Sequence, residues 1–158
     1  LIEYVGATRR KGCHRRLRAA FVEGVPVLMR ADYGRDWVVK GRKWTAQQDL
    51  YRNHPDLLAD ADDIVARPDA RLGPAAVAAL DAVGRAVPLD IFCLDFDLDE
   101  SGRVVFFEAN ACANLFSNAP TEMDYPQSAD AHLLELIERL LHARAGAAPV
   151  SAGAAGLR

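Results

Sequence analysis

Apolar residues recur at helical spacing in two stretches of the chain. In PAAVAALDAVGRAV, residues 74–87, Val77, Leu80, Val83, Gly84 and Val87 fall on one face. Pro74 stands where a first helical turn tolerates it, and Pro88 ends the run. In SADAHLLELIERLLHARA, residues 128–145, the stripe is Leu133, Leu134, Ile137, Leu140 and Leu141, with Ser128 or Asp130 as the expected cap. Elsewhere the period is two or absent. Residues 15–23 and 25–31 read as strands joined by a hairpin turn at Glu23-Gly24. Tyr33 to Asp36 reads as a second turn and WVVK, residues 37–40, as a short strand. Strands over 90–98 and 103–109 flank a turn at Glu100-Ser101-Gly102.

Residues 6–14 and 111–127 read as loops, and 45–72 as polar and irregular, with a short helix within HPDLLADADDIV. LIEYV at the start reads as the inside of a strand, so further sequence is expected before Leu1. The stretch from 146 to 158 is small, Gly- and Pro-containing and aperiodic, which predicts a disordered tail behind a domain of residues 1–145. The fold class expected is α+β, an antiparallel sheet with flanking helices.

Charge adds one asymmetry. The net charge of −3 provides no global basic field to attract nucleic acid, yet RRKGCHRRLR, residues 9–18, is Arg or Lys at most positions and contains no acid. Such a run is usually a solvated loop, or it meets a polyanionic ligand. Cys13, Cys93 and Cys112 are odd in number and widely spaced, which fits a reducing, cytoplasmic setting better than a disulfide frame or zinc site. Cys112 is expected to be a buried, inert thiol. His14, His54, His132 and His142 are scattered without metal spacing. No apolar run approaches the roughly 18 residues of a membrane span, so no membrane partner is expected.

The densest chemistry lies in CLDFDLDESGRVVFFEANACAN, residues 93–114. Side chains alternate faces along a strand, so Cys93, Asp95, Asp97 and Asp99 share one face of the first strand. Glu108 and Asn110 share a face of the second. With an even connection, Asp95 and Asp97 stand beside Glu108 and Asn110; an odd loop or a bulge breaks that pairing. Clustered carboxylates repel, and a hard divalent cation relieves them. Mg²⁺ takes one or two carboxylates plus water and phosphate oxygens, and Asp95, Glu108 and the Asn110 amide oxygen are such a set. An EF-hand fails, because its sixth and twelfth positions hold Glu100 and Phe106. The other reading is a solvent-facing strand whose acids keep an edge soluble. That accounts for Asp97 and Asp99 and not for Glu108 and Asn110.

An Asp followed 13 positions later (108 − 95) by the Glu of FEANA resembles the metal-binding hairpin of the ATP-grasp superfamily. HRRLRAAFVEGVPVLMRADYGRDWVV resembles the sheet that precedes it. The chain is most similar to the ATP-grasp-like domain found behind tetratricopeptide repeats in some bacterial proteins, over roughly residues 1 to 120. The resemblance implies the C-terminal part of an ATP-grasp fold that binds Mg-ATP and activates a carboxylate as an acyl phosphate for attack by an amine or thiol. It implies that Asp95, Glu108 and Asn110 hold Mg²⁺ against the ATP phosphates. Arg18 would approach phosphate as the catalytic arginine, Glu3, Tyr4 and Val5 would contact adenine, and Lys40 and Arg30 would face phosphate or substrate. An upstream repeat domain is an implied partner.

The likeness is incomplete. The Lys-bearing strand and Gly-rich phosphate loop of the family are absent, Cys93 stands where many of its ligases have Arg, and ACANLF follows Glu108-Ala109-Asn110 without Pro-Gly. Two alternatives therefore accompany the ligase: a non-catalytic module that binds a cation or a partner, and a kinase of a small molecule.

Overall fold

The structure is a computed structural model that describes residues 9–42, 44–116 and 127–146. Along these residues the order is β1 (Arg9–Arg10), β2 (Cys13–Val22), β3 (Val25–Gly34), α1 (Thr45–Asn53), α2 (Pro55–Ala66), α3 (Pro68–Leu72), α4 (Pro74–Ala86), β4 (Ile91–Leu98), β5 (Val104–Asn110) and α5 (Gln127–Gly146). The strands form one antiparallel sheet with helices flanking it, the expected α+β class. Glu3, Tyr4, Val5 and the expected tail beyond Gly146 lie outside the described residues.

The β2–β3 reversal follows from local chemistry. Glu23 and Gly24 both take positive φ, 48° and 82°, as a two-residue hairpin turn of the primed kind requires. From there β3 pairs along β2 as far as His14↔Gly34, with one shift at Arg18/Ala19 that leaves Met29 without a partner. β4 takes the other edge of β2, from Val22↔Ile91 to Leu17↔Phe96, and β1 takes that edge at Cys13 and His14. β5 lies outside β4. The acidic strand is thus interior to the sheet, and the strand that carries Glu108 is an edge.

The core forms where β2 and β4 meet. Leu17, Ala19 and Phe21 stand in register with Phe96, Leu94 and Phe92, and all six are buried. The Phe21 and Phe92 rings stack at 4.4 Å with an interplanar angle of 6°. Burying side chains of this kind contributes about 1.5–3 kcal/mol each. α2 and α4 pack on β3, and α5 packs on β2 and β3.

Several expectations are corrected. Residues 45–72 are helical nearly throughout. Leu57, Ala61, Ile64 and Val65 of α2 are buried at helical spacing, but so is Asp60, and a charged residue on the core face hides the period. Asp60 accepts hydrogen bonds from the Tyr33 hydroxyl and from Arg71 (2.7 Å), and Arg10 pairs with the same carboxylate. Lys11 reaches Asp56 of α2 at 2.8 Å. The basic run is therefore neither a loop nor free for a polyanion at Arg10 and Lys11; it forms β1, a tight turn and the start of β2, docked on an acidic helix. Trp37 and Val38 form bends, and Val39 and Lys40 adopt no regular structure, so no strand forms there. The buried stripe of α5 is Ala129, Leu133, Leu136 and Leu140, while Leu134 and Leu141 are exposed. Ser128 and Asp130 lie inside that helix. No helix among the described residues is long and apolar enough to cross a membrane.

α4 crosses the β2–β3 turn at closest range through Gly84, where a Cβ would stand 2.0 Å from the Gly24 carbonyl oxygen. Gly84→Ala is expected to lower stability by at least about 1–3 kcal/mol through overpacking. Gly146→Ala, whose Cβ meets no described atom within 4 Å outside its own stretch of helix, is expected to leave stability unchanged or slightly raised. Urea unfolding of the two variants checks this.

Candidate functional site

Strand register builds the site. Arg30 of β3, Arg18 of β2, Asp95 of β4 and Glu108 of β5 lie opposite one another in a single row across the sheet. Two pairs further along, on the same face, Asn110 stands opposite Cys93. The expected pairing of Asp95 with Glu108 is present. It ends there, because a register shift between Asp95 and Phe96 leaves Phe107 as an extra residue and puts Val105, not a polar side chain, opposite Asp97.

Every interior carboxylate of this region meets an arginine of β2. Arg18 grips Asp95 with two parallel bonds, Nε to Oδ1 at 2.6 Å and Nη2 to Oδ2 at 2.7 Å. That fork geometry is the strong form of a carboxylate–guanidinium pair, and its bonds raise the pKa of Arg18. Arg16 bonds Asp32 of β3 at 3.2 Å and stands 3.9 Å from Asp95 Oδ2. Arg15 Nε donates to Asp97 Oδ1 at 2.7 Å. Asp97 is fully buried, and its Oδ2 has no hydrogen-bond partner among the described residues. Burial pushes its pKa up to about 6, against the pull of Arg15. These acids do not keep a solvent-facing edge soluble: Asp97 is 0% exposed and Asp95 7%.

Asp99 serves the turn. It accepts from the backbone N–H groups of Ser101 and Arg103, the Ser101 hydroxyl and the Arg103 guanidinium. The Ser101 hydroxyl, the backbone N–H groups and Arg103 hold its pKa well below the usual carboxylate range.

Glu108 differs from the other acids. It lies on the exposed edge strand and makes no ion pair among the described residues. The Asn110 amide oxygen accepts the Cys112 backbone N–H at 2.7 Å, and Cys112, expected to be buried, is exposed. Lys40 is exposed beside buried Val39. Burial raises the pKa of Asp130 in α5, against a smaller downward pull from Arg30.

A cleft of about 480 Å³ opens over the Asp95–Glu108 end of the row. Its polar side is Arg15, Arg16, Asp95 and Glu108, and its apolar side is Trp37, Val38, Val39, Phe106 and Phe107. Trp37 is 81% exposed, Phe106 58% and Phe107 46%. A larger cleft of about 630 Å³ lies around Gly24, Gly84 and Leu89, away from these carboxylates, with Glu23, Asp81, Arg85 and Asp90 among its lining residues. The aromatic wall escaped the sequence reading, although two successive phenylalanines ahead of Glu108 break strand alternation and signal the bulge. The structural arginine Arg42 escaped it too. Arg42 is 1% exposed, forms an ion pair with Asp62 at 2.7 Å and lies 5.6 Å from the Tyr51 ring centroid.

Among the described residues no group of three or more His, Cys, Asp or Glu side chains is arranged to hold a metal ion. No family model matches the chain, and no curated protein or solved structure does either.

The Asp97 carboxyl has a stated pH signature. It ionises near 3.8 ordinarily and at about 6 in the folded protein, so the folded state holds the additional proton between those values. Its contribution to stability is greatest below about pH 4 and falls as pH rises to about 6. Relative to Asp97→Asn, wild type is expected to lose unfolding free energy across that window. Denaturant titrations at pH 4 and pH 7 check it, and a pH-independent difference refutes it.

Proposed function

We propose that the cleft is the cation- and phosphate-binding half of an ATP-grasp-type site, in which Mg-ATP activates a carboxylate as an acyl phosphate. The reading is supported chiefly by Asp95 and Glu108 standing in register beside Arg18, with Asn110 two pairs further on. The donors fit a hard cation. Carboxylate and amide oxygens each have two lone pairs, so Asp95 and Asn110 retain acceptor capacity beyond the bonds they make, and Glu108 is uncommitted. Mg²⁺ needs only one or two carboxylates and fills its shell with water and phosphate oxygens. Asp95, Glu108 and Asn110 would hold it, and it would supply neutralisation of phosphoryl oxygens.

The residues of this chain then divide the work. Arg18 and Arg16 carry the planar positive charge that suits phosphate. The exposed faces of Trp37, Phe106 and Phe107 suit a planar base or an apolar substrate body. The substrate carboxylate attacks the terminal phosphoryl group, ADP leaves, and an amine or thiol displaces phosphate from the acyl phosphate. The hinge residues Glu3, Tyr4 and Val5 and an upstream repeat domain belong to this proposal on resemblance alone. Lys40, Arg18 and Asn110 are not among the residues lining the cleft.

The bidentate Arg18–Asp95 bond favours a second reading, a non-catalytic module in which these two residues only hold the sheet together.

Titration calorimetry with a non-hydrolysable ATP analogue, with and without Mg²⁺, separates the two. Combining Asp95→Asn with Glu108→Gln is expected to abolish the Mg²⁺-dependent part of the affinity. Unchanged Mg²⁺-dependent affinity in that variant refutes the site. An absence of any binding by a correctly folded wild-type chain selects the non-catalytic module.

A further inference from the structure

The long strands at the two sides of the sheet are β3 and β5. β3 is buried from Val27 to Gly34 apart from Arg30, with α2, α4 and α5 packed on it, and carries Pro26 near its start. Covering helices and a proline are ordinary ways of closing a sheet edge. β5 has no such cover among the described residues. Phe106, Phe107, Glu108 and Ala109 are all exposed, so neither face of the strand is covered there, and no described strand pairs with its outer side. Trp37, 81% exposed, and Val38 extend the apolar surface beside it. An uncovered apolar edge is a template for another strand.

The residues at this edge select the strand that fits it. Arg103-Val104-Val105-Phe106-Phe107-Glu108 has a cation at one end, an anion at the other and four apolar residues between them. Laid antiparallel, a second copy brings its Glu108 end to Arg103 and its Arg103 end to Glu108, with apolar side chains meeting in the middle. A parallel copy would bring like charges together at both ends, which is unfavourable. Both charges are available. Arg103 is 81% exposed and keeps guanidinium donors beyond the Nε bond it makes to Asp99. Glu108 makes no ion pair among the described residues. We propose that β5 is a self-association edge, through which two copies of the chain pair antiparallel about a two-fold axis and join their sheets into one. Each copy offers the same edge, so assembly closes at the dimer. The bulge at Phe107 keeps the regular pairing short, which makes the dimer reversible. Pairing runs in the plane of the sheet and requires neither metal nor nucleotide, so it stands or falls independently of the ligand reading of the cleft.

Sedimentation velocity of the full chain, without metal or nucleotide, is expected to show a monomer–dimer equilibrium over roughly 1 μM to 1 mM. Arg103→Glu and Glu108→Arg each turn the two cross-strand attractions into repulsions and are expected to weaken the dimer about tenfold. Combining them restores opposite charges and is expected to recover the dimer to within about threefold of wild type. Phe106→Lys alters a position already 58% exposed, and is the second variant should a charge swap fail to fold. It is expected to stay monomeric while keeping the wild-type circular dichroism spectrum. A wild type that is monomeric throughout overturns the proposal and leaves the edge to a different chain. A combined swap as weak as the single swaps, a Phe106→Lys variant that dimerises like wild type, or growth beyond the dimer overturns it equally.

Discussion

A carboxylate in the interior of a β-sheet is tolerable only beside a cation, and β2 supplies one at each place where β4 or β3 needs it. Arg18 holds Asp95, Arg15 holds Asp97 and Arg16 holds Asp32. Removing one partner of such a pair typically costs about 3–5 kcal/mol, since the other charge stays buried and uncompensated. Well-packed apolar residues of similar size often do at least as well for stability. Stability alone therefore gives no reason for charged strands at the centre of this sheet. What the pairs do is fix register. A one-residue slip of β4 against β2 would place Asp95 opposite Leu17 or Ala19 and turn it to the wrong face.

That register governs the site. Because β4 lies between β2 and β5, three strands deliver Arg15 and Arg16, Asp95, and Glu108 to one cleft, and Arg18 fixes Asp95 from outside its lining. The bulge at Phe107 then ends the polar row and starts the aromatic wall within a single residue. Charge and apolar surface adjoin because strand alternation fails there. The edge position of β5 leaves Glu108 in water while Asp95, one strand inward, is nearly dry.

Much of this was legible in the chain itself. Glu23-Gly24, the period of residues 74–87 and the alternation around Asp95 all report local geometry, and the structure keeps them. What was hidden depended on partners distant in sequence. The basic run read as a loop because its acids lie at positions 56, 60, 95 and 97. α2 read as irregular because Asp60 occupies a core position that only Tyr33, Arg10 and Arg71 make acceptable. The full burial of Asp97 was hidden because nothing in a strand pattern says which strands lie inside the sheet. Local chemistry was readable and long-range charge matching was not.

The Asp60 carboxylate has a consequence for how the molecule opens. One nearly inaccessible side chain fastens the β1–β2 turn through Arg10, β3 through Tyr33 and α3 through Arg71. None of these segments can detach without leaving a charged or polar group in a dry place. Short hairpins at a sheet edge usually open independently of the body they adjoin. Here the β1–β2 turn is bound into the same cooperative unit as α2, and its backbone amides should exchange with solvent on the timescale of the helix rather than on that of an isolated turn.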